Sequence, residues 1–211
     1  MMLKLCRIIF ILLSIVISGC TNPYNILLEK VYDEDQAARE WTSGMASLSA
    51  DEIVAHSTEM ALTDSLNQVV VFGILAKDGW PAQLSDKANQ AIWLVIDHSD
   101  LASRSKYLDL VKAKAEEGVL DKSDFAVLND RVLMEEGKPQ IYGTQIKMAA
   151  TFAGEDLTMQ LYLWPGEDPA ALDSLRSTVG LSPIGDYLEK SGDSFGQPVV
   201  WDPTRTVADF Q

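Results

Sequence analysis

Cysteine is nearly absent from this chain, with two residues in 211, at positions 6 and 20. The stretch after position 20 therefore holds no disulfide, no thiolate metal ligand and no cysteine nucleophile. Its stability in an oxidising compartment must come from packing. Histidine is equally scarce, with His56 and His98 alone, which argues against an imidazole-rich metal centre. Positive charge is in deficit: 17 Lys and Arg face 31 Asp and Glu. Such a surface repels nucleic acid, so no nucleic-acid partner is expected. Zinc-protease H-E-x-x-H, phosphate-binding G-x-x-x-x-G-K and dinucleotide-binding G-x-G-x-x-G patterns are missing. Internal repeats and low-complexity tracts are missing too.

What is present begins with an address. Lys4 and Arg7 give a short positive region, and Ile8 to Ile17 is an apolar run broken only by Ser14. That run is too short for a membrane-spanning helix, which needs about 20 residues. Small residues then lead into Cys20, the layout of a secretory signal. Ile17-Ser18-Gly19-Cys20 is similar to the lipobox of bacterial lipoproteins. The resemblance implies cleavage after residue 19 and acylation of Cys20 with palmitate-type chains. A plain secretory signal or a short anchor is the other reading. Lipoproteins kept at the inner membrane of many Gram-negative bacteria carry Asp after the cysteine. Thr21 in that place points, by the same resemblance, to the outer membrane and a periplasm-facing envelope protein. Each buried methylene contributes about 0.8 kcal/mol, so several acyl chains anchor stably.

Removal of residues 1–19 takes away Lys4 and Arg7 and leaves 192 residues with a net charge near −16. The expected organisation is a signal over 1–19, a lipidated tether over 20–25 and one globular domain over 26–211. The expected partners are the bilayer, through Cys20, and a small molecule or an envelope protein. No cofactor and no metal are expected.

Periodicity predicts helices over Ile26–Trp41, Ala50–Met60 and Asp64–Lys77, the last with Leu66, Val69, Val70, Gly73 and Ile74 as its apolar stripe. Gly79-Trp80-Pro81 stops it. Ser85 caps a helix to His98, and Leu101–Glu117 and Lys122–Glu136 follow. After Pro139 the pattern predicts strands over Gln140–Phe152 and Leu157–Trp164, joined by Gly154-Glu155-Asp156. Pro169–Val179 reads as a helix, and the last thirty residues as mostly loop. The fold class is α+β, mainly α: about five to six helices and a C-terminal β-hairpin.

Two helices carry polar groups on apolar faces. At about 100° per residue, His98 falls between Leu94 and Ala91 on its wheel. Asp130 falls among Ala126, Leu133 and Met134, where a carboxylate is costly unless paired. His98, Arg39 and Arg131 are its candidate partners. Arg131 lies beside Glu135, four residues on, as in a helix ion pair.

At these residues the sequence resembles a bacterial family known as domain of unknown function 6624, from about Asp35 to Tyr187. Asp35-Gln36-Ala37-Ala38-Arg39 looks like its opening motif. Asp64 and Asn67 followed by Gly79-Trp80-Pro81 look like the second, and an Ala-rich helix ends in His98. The most specific stretch is Asp130-Arg131, Gly137 and Gln140-Ile141-Tyr142-Gly143-Thr144-Gln145. Arg176, Gly180-Leu181 and Tyr187 resemble the close. Asp97 departs from the Gln expected before His98. The resemblance implies no reaction, but it ties Asp35, Arg39, His98, Asp130, Arg131, Gln140, Tyr142 and Gln145 into one candidate site.

Three readings stay open for that set. It can bind a ligand or simply build an envelope protein's fold through a polar cluster. It can be a metal-free, hydrolase-like site, with His98 as general base, Asp130 orienting it, Arg39 and Arg131 holding an anionic group, and Tyr142, Gln140 and Gln145 donating hydrogen bonds. It can belong to a partner-binding domain. His98-Ser99-Asp100 as a metal site competes with a helix-end histidine followed by a capping aspartate.

Overall fold

A computed structural model describes residues 22–153 and 156–210. The first helix, α1 (Tyr24–Ala37), begins two residues before the expected start, inside the stretch assigned to the tether. It also ends earlier than expected. After Ala37 the chain tightens into a 3₁₀ turn (Glu40–Ser47), with the Trp41 indole N–H donating to the Ala38 carbonyl at 3.0 Å.

The next helix, α2, runs unbroken over Ala50–Asp78, where periodicity suggests two helices. Nothing between Met60 and Asp64 stops a helix, since Ala61, Leu62 and Thr63 bring neither Gly nor Pro. A capping box opens it: the Ser49 side chain accepts from Glu52 N, and Ser49 N donates to the Glu52 carboxylate at 2.8 Å. Gly79, at φ 68°, closes it. Its buried face is Asn67, Val71, Ile74 and Leu75. Of the expected apolar stripe, Leu66, Val69 and Gly73 lie in the open instead.

The following three helices match expectation: α3 (Asp86–Asp97), α4 (Leu101–Glu116) and α5 (Lys122–Glu135). Ser85 accepts from Ala88 N to cap α3, and Asp100 accepts from Ser103 N at 2.8 Å to cap α4. α1 packs against α3 and α2, and α4 against α5. Their shared core is built on Leu28, Val31, Val71, Ile92, Ile96, Val111 and Leu128, all sealed from solvent. Each such side chain contributes about 1.5–3 kcal/mol through burial.

The C-terminal part carries a small sheet. β1 (Ile146–Ala153) and β2 (Asp156–Leu163) pair antiparallel, from Ile146 opposite Leu163 to Ala153 opposite Asp156. Of the expected turn, Gly154 and Glu155 lie outside the described residues, and Asp156 opens β2. β1 starts six residues later than expected, because Gln140–Gln145 is a loop wound around Asp130. The expected helix over Pro169–Val179 shortens to α6 (Leu172–Thr178). The final thirty residues are more ordered than expected: α7 (Ile184–Phe195), a parallel strand β3 (Val199–Val200) on β2, and a 3₁₀ turn (Val207–Phe210). Leu163, Leu172 and Ile184 form a second, smaller core. On the other face of β2, Phe210 rests against Tyr162 and Trp164. With seven α-helices and three strands among the described residues, the fold is mainly α with β. No described helix is long and apolar enough to cross a membrane.

Candidate functional site

The eight residues singled out in the sequence fall into two groups. Asp130, on α5, is fully buried and anchors the first. Its carboxylate accepts from Ile141 N at 2.8 Å, Tyr142 N at 3.0 Å, Thr144 N at 3.1 Å and the Thr144 hydroxyl at 3.0 Å. These are backbone donors of the following loop, not His98, Arg39 or Arg131. Burial pushes the Asp130 carboxyl above its ordinary range, against the pull of those four donors toward the ionised form.

The loop's carbonyls are held from the opposite side. Buried Arg176, on α6, donates to Tyr142 O at 2.8 Å, Gly143 O at 3.0 Å and Ser182 O at 2.6 Å. The Tyr187 ring lies 4.9 Å from its guanidinium, and the Tyr187 hydroxyl donates to Thr144 O at 2.6 Å. Gly143 sits at φ 67°, and a Cβ there would come within 3.1 Å of Leu172. Gln140, also fully buried, donates to Trp164 O at 2.6 Å and accepts from Gln145 N at 2.8 Å. Gln145 donates to Val127 O at 3.2 Å. Asp130, Gln140 and Gln145 are thus spent on fixing the entrance to the hairpin. Tyr142 contributes its backbone to the same loop, and burial raises its phenol.

The second group gathers around His98, the residue that closes α3. Its Nδ1 lies 2.8 Å from Asp35 Oδ1 on α1. Arg39, one turn along from Asp35, reaches Asp35 at 3.1 Å and grips Asp64 of α2 with two contacts at 2.8 and 3.0 Å. Burial pushes the Asp35 carboxyl up. The His98 hydrogen bond and charge, the Arg39 guanidinium and the Gln36 amide outweigh it and hold the carboxyl below its ordinary range. An ionised Asp35 can only accept, so Nδ1 of His98 carries a hydrogen, and whenever the ring holds no second proton Nε2 is an acceptor. Asp35 is sealed at 1% exposure, whereas His98, Arg39 and Asp64 keep 19%, 20% and 15%.

Asp97, the departure from the expected Gln, joins this group. One of its oxygens lies 3.9 Å from His98 Nε2 and the other 3.0 Å from Arg131 Nε, an ion pair whose N–H is not aimed at the oxygen. Arg131 therefore reaches across to α3 rather than to Glu135, and Glu135 pairs with Arg104. Asp64 and Asn67 sit in the second motif but were not placed in the site from sequence. Asp64 proves to be the far end of the Asp35–Arg39 chain. Arg176 and Tyr187, in the closing motif, prove to be the clamp on the Asp130 loop.

Asp35, Asp64 and His98 each offer a ligand atom within 4.8 Å of one another. Two carboxylates and an imidazole suit a divalent ion. A cation there would compete with Arg39 for both carboxylates. The His98-Ser99-Asp100 alternative fails on geometry, since Asp100 caps α4 and the other imidazole, His56, stacks on Trp41 at 5.4 Å. Beside the His98 group, α1 and α2 enclose a cleft of about 510 Å³ lined by Glu34, Trp41, His56, Glu59 and Asn67 among others. Gly192 to Gly196 also carries the spacing G-x-S-x-G of hydrolase nucleophiles. Its Ser194 lies inside α7, exposed and donating to Lys190 O at 2.9 Å, not at a strand-to-helix elbow.

No curated protein and no solved structure matches the chain. One family model does, over residues 26–200, a span that takes in both polar groups and all seven helices but the first two residues of α1. Its description is a family of unknown function, and the chain belongs to that family, DUF6624.

Proposed function

We infer that this protein is an envelope lipoprotein, acylated at Cys20 and held at the outer membrane, whose periplasm-facing domain binds a small polar molecule at His98. The lipobox supports the anchor. The binding reading is carried by the Asp35–His98 contact at 2.8 Å. It fixes the ring through Nδ1 and leaves Nε2 without a hydrogen-bond partner on a partly exposed side chain, with an Asp97 oxygen at 3.9 Å and a partly exposed Arg39 sharing Asp35 with the ring. A group serving the fold alone would close over, as the Asp130 loop does. In the unprotonated form Nε2 accepts a hydrogen bond from a hydroxyl or amine, and the Arg39 guanidinium, in contact with the same Asp35, is a cation of the same cluster for a negatively polarised atom.

The same dyad supports a second reading. A carboxylate-oriented imidazole whose Nε2 makes no hydrogen bond has the form of a general base. In a hydrolase-like mechanism Asp35, not Asp130, orients His98, and Arg39 holds the anionic part of the substrate.

Native mass spectrometry of the chain, purified from its own membranes in mild detergent, tests the binding reading. The expected result is an added small mass on the wild type that His98→Ala loses while keeping its melting temperature within a few degrees. A wild type without added mass, or a His98→Ala variant that retains it, overturns the reading.

A further inference from the structure

One face of α2 stands uncovered. Leu62, Leu66 and Val69 are 61%, 60% and 74% exposed, and Gly73, next on the same face, has nothing within 4 Å of where a Cβ would stand. Their spacing of four, three and four residues is that of a continuous helical stripe. Leu27 of α1 borders it across the groove that also holds Leu66 and Val69. A helix apolar on two faces is built to be covered on both, and α1 and α3 cover only one.

We propose that this stripe is the interface through which two copies of the chain pair, α2 against α2, antiparallel about a two-fold axis. The spacing reads the same in both directions. An antiparallel partner therefore sets Leu62 over Gly73 of the second copy and Leu66 over its Val69, and the axis repeats both contacts. The missing side chain at position 73 is the hole that takes the Leu62 knob and lets the helices approach closely. Charge follows the same axis. Glu59, one turn before Leu62, comes level with Ala76 and Lys77 of the second copy. Lys77 is largely exposed, its nearest carboxylate being Asp78 at 3.7 Å. Both ends of the stripe thus gain an opposite-charge pair. A lipid surface fits the face less well, because acidic Glu34 and Glu59 flank it and anionic headgroups repel them. The pairing does not depend on the lipid anchor or on the His98 site.

Cross-linking tests it in the full-length chain. Leu66→Cys carrying one tag and Val69→Cys carrying another are expressed together and oxidised in intact cells, and linked peptides are identified by mass spectrometry. The expected main inter-chain product is the 66–69 disulfide, since facing positions of a tight helix pair fall within bonding reach. Adding Gly73→Leu to both copies should cut its yield at least tenfold. At dilution low enough to separate the copies, the same substitution should leave the melting temperature equal or higher, because the site is open in the single chain and Gly is a poor helix former. No 66–69 link, equal linking from a Val54→Cys control, or a link that survives Gly73→Leu overturns the proposal. So does binding of the unacylated Cys20→Ser chain to phosphatidylethanolamine–phosphatidylglycerol vesicles that Leu66→Ser abolishes, without any 66–69 link in the cysteine pair, which would assign the face to lipid.

Discussion

Replacing Asp130 by alanine removes one side chain and leaves four donors without their acceptor: the N–H groups of Ile141, Tyr142 and Thr144 and the Thr144 hydroxyl. A buried donor left unsatisfied costs about 1–3 kcal/mol. The hydroxyl can rotate away, so three backbone groups carry the loss. Part of it is offset, because burial already works against the ionised Asp130 carboxyl, as its raised pKa shows. The expected net cost is on the order of 3–5 kcal/mol, a large share of the 5–15 kcal/mol roughly typical of a domain. Asp130→Asn should cost less. It keeps one oxygen toward Ile141 N but turns an amide N–H toward Thr144 N–H. Urea unfolding followed by circular dichroism at neutral pH measures both. A loss below about 1 kcal/mol for Asp130→Ala would refute the reasoning, since a buried four-donor network cannot be dismantled so cheaply.

Arg176→Met should destabilise by about 3 kcal/mol, because three carbonyls lose a shared cationic donor, and Arg176→Lys should not restore the loss, since an ammonium lacks the fork; the same urea titration reads both. The Asp35 carboxyl is held below its unfolded value in the folded state, so its stabilisation is full above the ordinary carboxylate range near 4 and is lost as pH falls through the folded value. The stability gap between wild type and Asp35→Asn should therefore narrow in acid, and a gap that widens there contradicts the assignment. Cys20→Ser should abolish incorporation of labelled palmitate; label entering that variant removes the lipoprotein reading.

The helical half of the fold was legible because its signals are local. Ser85, Asp100 and Gly79 mark ends through groups within four residues of them. α7 was hidden: its stripe is only Ile184, Tyr187 and Leu188, set among Gly185 and Gly192, both poor helix residues. The start of β1 was misplaced because Ile141, Tyr142 and Thr144 are residue types that favour strands, while the loop's hydrogen bonds go to Asp130 and Arg176, side chains distant in sequence. The site was half legible for the same reason. The helical wheel placed His98 and Asp130 on apolar faces, but a wheel cannot choose partners across helices. His98 took Asp35 rather than Asp130, and Arg131 took Asp97 rather than its helix neighbour Glu135.

Two histidines in the chain make the ring nitrogens of His98 separable from those of His56 by nitrogen-15 NMR. Spectra recorded before and after adding the small-molecule fraction of the cell envelope test binding at His98 most directly. The account predicts that His98 Nε2 shifts, that Nδ1 keeps its hydrogen on Asp35, and that His56 stays where it was. An unmoved His98, or a shift confined to His56, would contradict it.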